Sequence, residues 1–184
     1  MDNLKLTQLV YTRISHDLSG TVGAIYNGAE LLEEDLSFAS ESTDLIKNSA
    51  ESLMARLRFF RQTFGLPKDD ADTTTDYLKT FSMPFSLNTS CENNLHRVLI
   101  MALTDYFYKG ANFEIAPFFI KAKGNALKDI AQLATILENG EGEENATNAP
   151  AFYAYDLAKQ TNVSLSIGRK ENELQINLDF HTCL

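Results

Sequence analysis

The chain has 184 residues, 44% of them hydrophobic, and a formal net charge of -9. Enough apolar side chains are present to build a packed core, which excludes global disorder, and the acidic balance excludes a general nucleic-acid binder, which needs a basic face against phosphates. No apolar run reaches the length of a membrane span, Met1-Asp2-Asn3-Leu4-Lys5 has no apolar signal core, and the two cysteines, Cys91 and Cys183, are isolated without metal spacing, so the expectation is a reduced, soluble, cytoplasmic protein that neither crosses nor anchors in a membrane.

From the start, Leu4, Tyr11, Leu18, Ile25 and Leu32 recur every seven residues, with Ile14, Val22, Ala29 and Leu36 beside them. This spacing predicts a helix over 4–36 with one buried stripe. Counted from Leu4, His16 falls opposite the stripe. An imidazole beside an acidic neighbour, Asp17, on the open face of a rigid helix is a candidate reactive group, since it is nucleophilic and titrates near neutral pH. Gly20, Gly23 and Gly28 interrupt the helix, each at about 1 kcal/mol relative to Ala. Close approach of another backbone and room for a docking partner are both open as reasons.

A polar turn over 37–42 offers several N-caps, and a second helix runs to about Phe64 with Ile46, Ala50, Leu53, Leu57, Phe60 and Phe64 apolar, stopped by Gly65 and Pro67. Residues 1–67 therefore form a helical hairpin. Two helices cannot enclose a core, whereas two hairpins can, so a homodimer built on a four-helix bundle is the economical solution.

Residues 68–75 read as a polar linker. Beyond it come a short helix over 76–82, a strand over 84–89, a helix over 92–108, and a β-rich stretch over 113–122 interrupted by Pro117. A helix over 126–137 follows, then a mobile acidic loop over 138–148, a helix over 151–161, and a hairpin of 163–168 with 174–180. Alternating helices and strands imply an α/β sandwich over 68–184. The fold class is α+β.

Three motifs carry a resemblance: His16-Asp17-Leu18, then Val22-Gly23-Ala24-Ile25, then Asn27-Gly28-Ala29-Glu30-Leu31-Leu32. With Ala55-Arg56-Leu57-Arg58-Phe59-Phe60-Arg61 and Phe64-Gly65 on the second helix, they make the chain similar to the ChpT-type histidine phosphotransferases, and 152–180 resembles the last helix and hairpin of that family. The resemblance implies a dimeric four-helix bundle and a second domain built like the ATP-binding module of histidine kinases but without ATP. It also implies a phosphorelay role: a phosphoryl group passes from the receiver domain of a hybrid histidine kinase to the receiver domains of response regulators, with His16 as phosphoacceptor. The Mg²⁺ would sit on the receiver, so no cofactor or metal is expected on this chain.

Loss of ATP binding is also expected from residues. Tyr106 stands where the kinase Asn would help hold Mg²⁺, no Asp-x-Gly-x-Gly occurs between Phe118 and Ile130, and the carboxylates of 138–144 would repel a triphosphate. Thr21 replaces the Pro that relatives often carry five residues after the His, so the kink that Pro imposes is not expected here.

Around His16, Asp17 either fixes the imidazole tautomer or is a solvated helix charge. Arg13, one turn earlier, either neighbours the phosphoryl group or is a surface cation. Gly20, one turn later, either leaves room for a receiver or packs against a helix. Arg56, Arg58 and Arg61 either meet acidic residues of a receiver, with Arg58 and Arg61 as docking residues, or pair with Glu30, Glu33 and Glu34. His96 and His181 are expected to be structural or at the surface. The alternative to a relay protein is a non-catalytic, pseudokinase-like adaptor that binds receivers. An active kinase is disfavoured by the missing nucleotide motifs.

Overall fold

A computed structural model describes residues 1–65, 73–81, 86–89, 93–107, 110–124 and 130–181. Cys91, Cys183, Pro67, most of the expected linker and the first part of the helix expected from Ala126 lie outside the described residues. The chain divides into two compact units, Thr12–Thr80, and Met1–Tyr11 together with Phe81–Leu184.

Helix α1 spans Asn3–Glu34 without a break, about 48 Å at the usual rise per residue. It ends in a 3₁₀ turn at Leu36–Phe38, where the Asp35 carboxylate accepts from the Ser37 N–H at 2.8 Å. Helix α2, Ala39–Phe64, therefore starts inside the segment expected to be a turn, and no side chain caps it. At its other end the Gly65 N–H reaches the Arg61 carbonyl at 2.9 Å. A Cβ on Gly28 would lie 2.8 Å from Ile46 Cγ1 and 3.3 Å from the Ser42 carbonyl oxygen, so α1 and α2 approach closely where only hydrogen fits. Ser42 and Ser49 are buried in the same unit, small residues suited to that approach.

The apolar stripe of α1 is less covered than its period suggests. Leu4 and Tyr11 are 70% and 72% exposed, Val22, Ala29 and Leu36 are also exposed, and Leu18, Ile25 and Leu32 are half-buried. A heptad period fixes which side chains share a face, but a face is buried only where something lies against it.

The short helix expected at 76–82 begins earlier, as α3, Thr73–Lys79, so Thr73 to Thr75 are helical and not linker. It packs on α2, with Tyr77 and Phe59 stacked at 3.9 Å between centroids and 5° between planes, and Phe60 meeting Tyr77 edge-on at 5.9 Å. The Thr73 hydroxyl donates to Gln62 Oε1 at 2.9 Å. These contacts place α3 with the hairpin, in the unit that runs to Thr80.

The second unit is a five-stranded sheet in the order β1-β2-β3-β5-β4 with three helices. Its elements are β1 Ser86–Thr89, α4 Asn94–Thr104, β2 Asn112–Ala116, β3 Phe119–Lys123, α5 Ala131–Asn139, α6 Ala149–Gln160, β4 Val163–Lys170 and β5 Glu173–Phe180. Among the described residues, β1 and β2 pair in parallel and the other neighbouring strands pair antiparallel. The expected single stretch 113–122 is two strands, because Pro117 has no N–H for a ladder and sits in the turn between them. Register sets Phe113 against Ala122, Ile115 against Ile120, Ile120 against Ile176 and Leu165 against Leu178, and all of these are buried. Alternate residues such as Glu114, Lys121 and Asn177 line the other face, as a half-buried sheet requires.

Candidate functional site

His16 lies near the middle of α1, where backbone bonds on both sides hold the helix against fraying. Its side chain is 86% exposed. The neighbouring Asp17 is the opposite, with a side chain only 9% exposed. One carboxylate oxygen of Asp17 stands 3.6 Å from His16 Nδ1, and the other accepts from Arg13 Nε at 3.1 Å. The structure thus brings three expected residues together in the order Arg13, Asp17, His16. Arg13, with a side chain 11% exposed, is engaged with Asp17. An Arg four residues before an Asp is the less favourable orientation for the helix dipole, so this pair adds little to helix stability, at most about 0.5 kcal/mol. Its clear consequence is to fix where the Asp17 carboxylate points.

Gly20 and Gly23 differ from Gly28. A Cβ on either would meet nothing within 4 Å. Packing within the chain therefore asks for glycine at one of the three positions and leaves open space at the other two. Both lie at helical spacing from His16, so the surface beyond the imidazole is low over two turns. At Thr21 α1 is continuous, as expected in the absence of a Pro, and the Thr21 hydroxyl points back to the Asp17 carbonyl at 3.5 Å.

On α2, Arg58 and Arg61 are exposed, and among the described residues neither makes an ion pair with Glu30, Glu33 or Glu34. Arg58 lines an open groove of about 610 Å³ with Glu51, Met54, Asp76 and Lys79. Arg61 lies in the last turn of α2, where a cation complements the helix dipole. Arg56 behaves differently. It is half-buried, its Nη1 donates to the Asp17 carbonyl at 3.1 Å, and its Nε donates to Thr80 Oγ1 at 3.1 Å. Arg56 is thus not one of the surface cations it was expected to join, and Thr80 is a partner that composition does not single out. A signal was available: Arg56 lies three residues after Leu53 and four before Phe60, so it continues an inward row.

In the α/β unit, Tyr106 is buried just beyond α4, and its hydroxyl donates to Asn148 Oδ1 at 3.2 Å. Asn148, also buried, donates from Nδ2 to the Glu143 carbonyl at 3.0 Å, and from its backbone N–H to Asn145 Oδ1 at 2.9 Å. The Glu138 carboxylate accepts from the Ile167 N–H of the edge strand β4 at 3.0 Å, and Glu144 pairs with Lys5. Gly140 caps α5 at φ 73°, with the Tyr155 ring against the position of a Cβ. The loop expected over 138–148 carries specific bonds, which its acidic, glycine-rich composition did not reveal.

His96 is the N3 residue of a capping box on α4, with Asn93 Oδ1 accepting from the His96 N–H at 3.1 Å and His96 Nδ1 accepting from the Asn93 N–H at 3.2 Å. Burial holds its pKa below 6.5; the Ala116 backbone works against that shift and Arg97 adds to it. His181 Nε2 lies 2.9 Å from Ser164 Oγ in an exposed position. Among the described residues, no group of three or more His, Cys, Asp or Glu side chains is placed to hold a metal ion, and no helix is long and apolar enough to cross a membrane.

No family model matches the chain, and no curated protein matches it significantly. Among solved structures, one described as a bacterial phosphotransferase superposes with a TM-score of 0.80, at 24% sequence identity, over 97% of this chain and 98% of that one. At that identity the likeness establishes the fold alone.

Proposed function

We propose that the protein is a histidine phosphotransferase that relays a phosphoryl group between receiver-domain aspartates through phospho-His16. The observation that carries this reading is the pairing of an imidazole open to solvent with a largely buried carboxylate 3.6 Å from its Nδ1. A carboxylate there favours the tautomer with the proton on Nδ1 and leaves the Nε2 lone pair outward. Nε2 attacks the phosphorus of a receiver's aspartyl phosphate in line, the N–P bond forms, the P–O bond to the aspartate breaks, and the carboxylate leaves with the electron pair. The imidazolium-like charge that develops is balanced by Asp17. The reverse step loads the next receiver. Little covalent work falls to the protein beyond positioning and charge stabilisation, and the Mg²⁺ belongs to the receiver. The fold shared with a bacterial phosphotransferase supports the same reading.

A homodimer through a four-helix bundle is part of the proposal. Val22 and Tyr26 on α1, and Leu45, Met54 and Leu57 on α2, are exposed, with Tyr26 at 62%. An apolar surface of that kind on a helical hairpin suits a second copy of itself, since two hairpins enclose a core. The α/β unit is read as a kinase-like ATP-binding fold without ATP: the Tyr106–Asn148–Glu143 bonds occupy the stretch where the amide ligand and phosphate loop would be needed. Gly20, Arg58 and Arg61 are assigned to receiver docking, on exposure and on the open space beside Gly20.

The test is to offer the purified protein a phosphorylated receiver domain and look for acid-labile, base-stable label. The expected result is label on the wild type and none on His16→Ala. Unlabelled wild type, or undiminished label on His16→Ala, overturns the proposal, and binding of receivers without label would establish the adaptor instead. Label from Mg-ATP alone would restore the kinase reading.

A further inference from the structure

Arg56 has no assigned role, yet its guanidinium joins three helices of one unit. Nη1 donates to the carbonyl of Asp17 on α1, while Nε and Nη2 donate to Thr80 Oγ1 and to the Thr80 carbonyl, at 3.1 and 3.5 Å, just after α3. The Thr80 hydroxyl donates its own hydrogen to the Tyr77 carbonyl at 2.7 Å, so its oxygen presents a lone pair to Arg56. Tyr77 in turn is fixed by its stack on Phe59. A rigid chain of contacts therefore runs from the buried aromatic cluster through Thr80 and Arg56 to the backbone of the residue beside His16.

We propose that Arg56 is a positioning residue for His16, acting through Asp17; this rests on the reading of His16 as phosphoacceptor. The bonded atom decides the effect. The Asp17 carbonyl already belongs to the helical ladder of α1 and also receives the Thr21 hydroxyl at 3.5 Å, and the guanidinium at 3.1 Å is the nearer side-chain donor, the one that ties this turn to another helix. With the backbone held by Arg56 and one carboxylate oxygen held by Arg13, the other Asp17 oxygen has a defined place beside His16 Nδ1. A planar fork spans these separate acceptors in fixed directions, and a lysine ammonium does not. Thr80 completes the device by orienting the fork.

A double-mutant cycle on the full chain tests this, with a receiver domain charged by acetyl phosphate as donor and ¹⁵N NMR of the His16 ring as a readout independent of any receiver. Arg56→Gln is expected to lower the transfer rate at saturating receiver by roughly tenfold to a hundredfold, the scale of a misplaced reacting group, with half-saturation unchanged. It is expected to shift the ring from the Nδ1–H towards the Nε2–H tautomer, and Arg56→Lys is expected not to restore it. Asp17→Asn should do the same, and the double variant should be no worse than Asp17→Asn alone. Thr80→Val, which removes one acceptor and keeps the volume, should move both readouts the same way by less, and it carries the cycle if Arg56→Gln fails to fold. A wild-type rate and tautomer in Arg56→Gln or Thr80→Val, or losses that add in full to those of Asp17→Asn, overturn the inference. If wild-type His16 accepts no phosphate, the phosphotransfer reading falls, and the NMR arm still judges Arg56.

Discussion

In the α/β unit, Phe107, Phe113, Ile120, Leu174 and Ile176 are fully buried, and the large apolar side chains left in solvent include Phe118 and Phe180, which pack edge-on against each other. In the hairpin unit, Val22, Tyr26, Met54 and Leu57 stand exposed along two helices, and among the described residues the buried large apolar side chains are Phe59, Phe60, Tyr77 and Leu78. One unit completes its core within a single chain; the other leaves an apolar face open. The candidate chemistry sits on the open one. The transfer proposed for His16, to and from a partner's aspartate, needs a surface with room on it, while a sheet with a closed core gives a scaffold that loses by being opened.

The widest separation between the units is expected from His16→Ala and Phe113→Ala. The first should remove all receiver-derived label with an unchanged melting temperature, because an exposed imidazole packs against little. The second should cost about 3–5 kcal/mol in chemical denaturation, as expected for deleting a buried ring, here one that packs edge-on to Phe107 at 6.3 Å, while leaving His16 in place. A large loss of stability in His16→Ala would blur the contrast.

Next in size is the open apolar face. Tyr26→Glu should convert a dimer to a monomer in light scattering, with helix content kept in circular dichroism, since a carboxylate cannot be buried there without a partner. A wild type that is monomeric at tens of micromolar would remove the second copy from the comparison.

A smaller effect belongs to His96. Its pKa is held below 6.5 in the folded chain, so on acidification the unfolded chain binds the proton first. Stability is therefore fully present above about 6.5 and declines as pH falls from there towards the folded value. His96→Gln, which keeps an acceptor at the capping-box position, should flatten that part of the melting-temperature profile. An unchanged profile would place the acid sensitivity elsewhere.

The smallest expected difference lies within α1. Gly20→Ala should stabilise by up to about 1 kcal/mol through helix propensity, because nothing lies within 4 Å of the added Cβ. Gly28→Ala gains the same propensity but meets Ile46 and the Ser42 carbonyl, and should be net destabilising. Equal effects at the two positions would mean that α1 and α2 do not approach closely at Gly28.

Much of this was legible in the residues. The seven-residue spacing from Leu4 to Leu32 gave a helix that the structure extends over Asn3–Glu34, and put His16 off the apolar face, where it is found. Alternation over 163–168 and 174–180 gave the final hairpin, with Gly65 as a helix stop. The adjacency of His16 and Asp17 gave the core of the candidate site. These are local properties: backbone periodicity and capping act within a few residues of chain, so composition and spacing determine them.

Only tertiary structure decided which faces are covered and which donor meets which acceptor. It left Leu4 and Tyr11 in solvent, made Thr73 to Thr75 helical through packing on α2, and gave 138–148 its bonds through Asn148, Glu138 and Lys5. It gave Arg13 to Asp17, gave Arg56 to Asp17 and Thr80, and left Arg58 and Arg61 exposed, although all four are arginines on amphipathic helices. The reason is distance along the chain. Arg56 lies 39 residues from Asp17 and 24 from Thr80, and no local period reports on groups brought together across such separations. The sequence determined a helix that presents a histidine; the approach of two further helices decided what holds that histidine's neighbour in place.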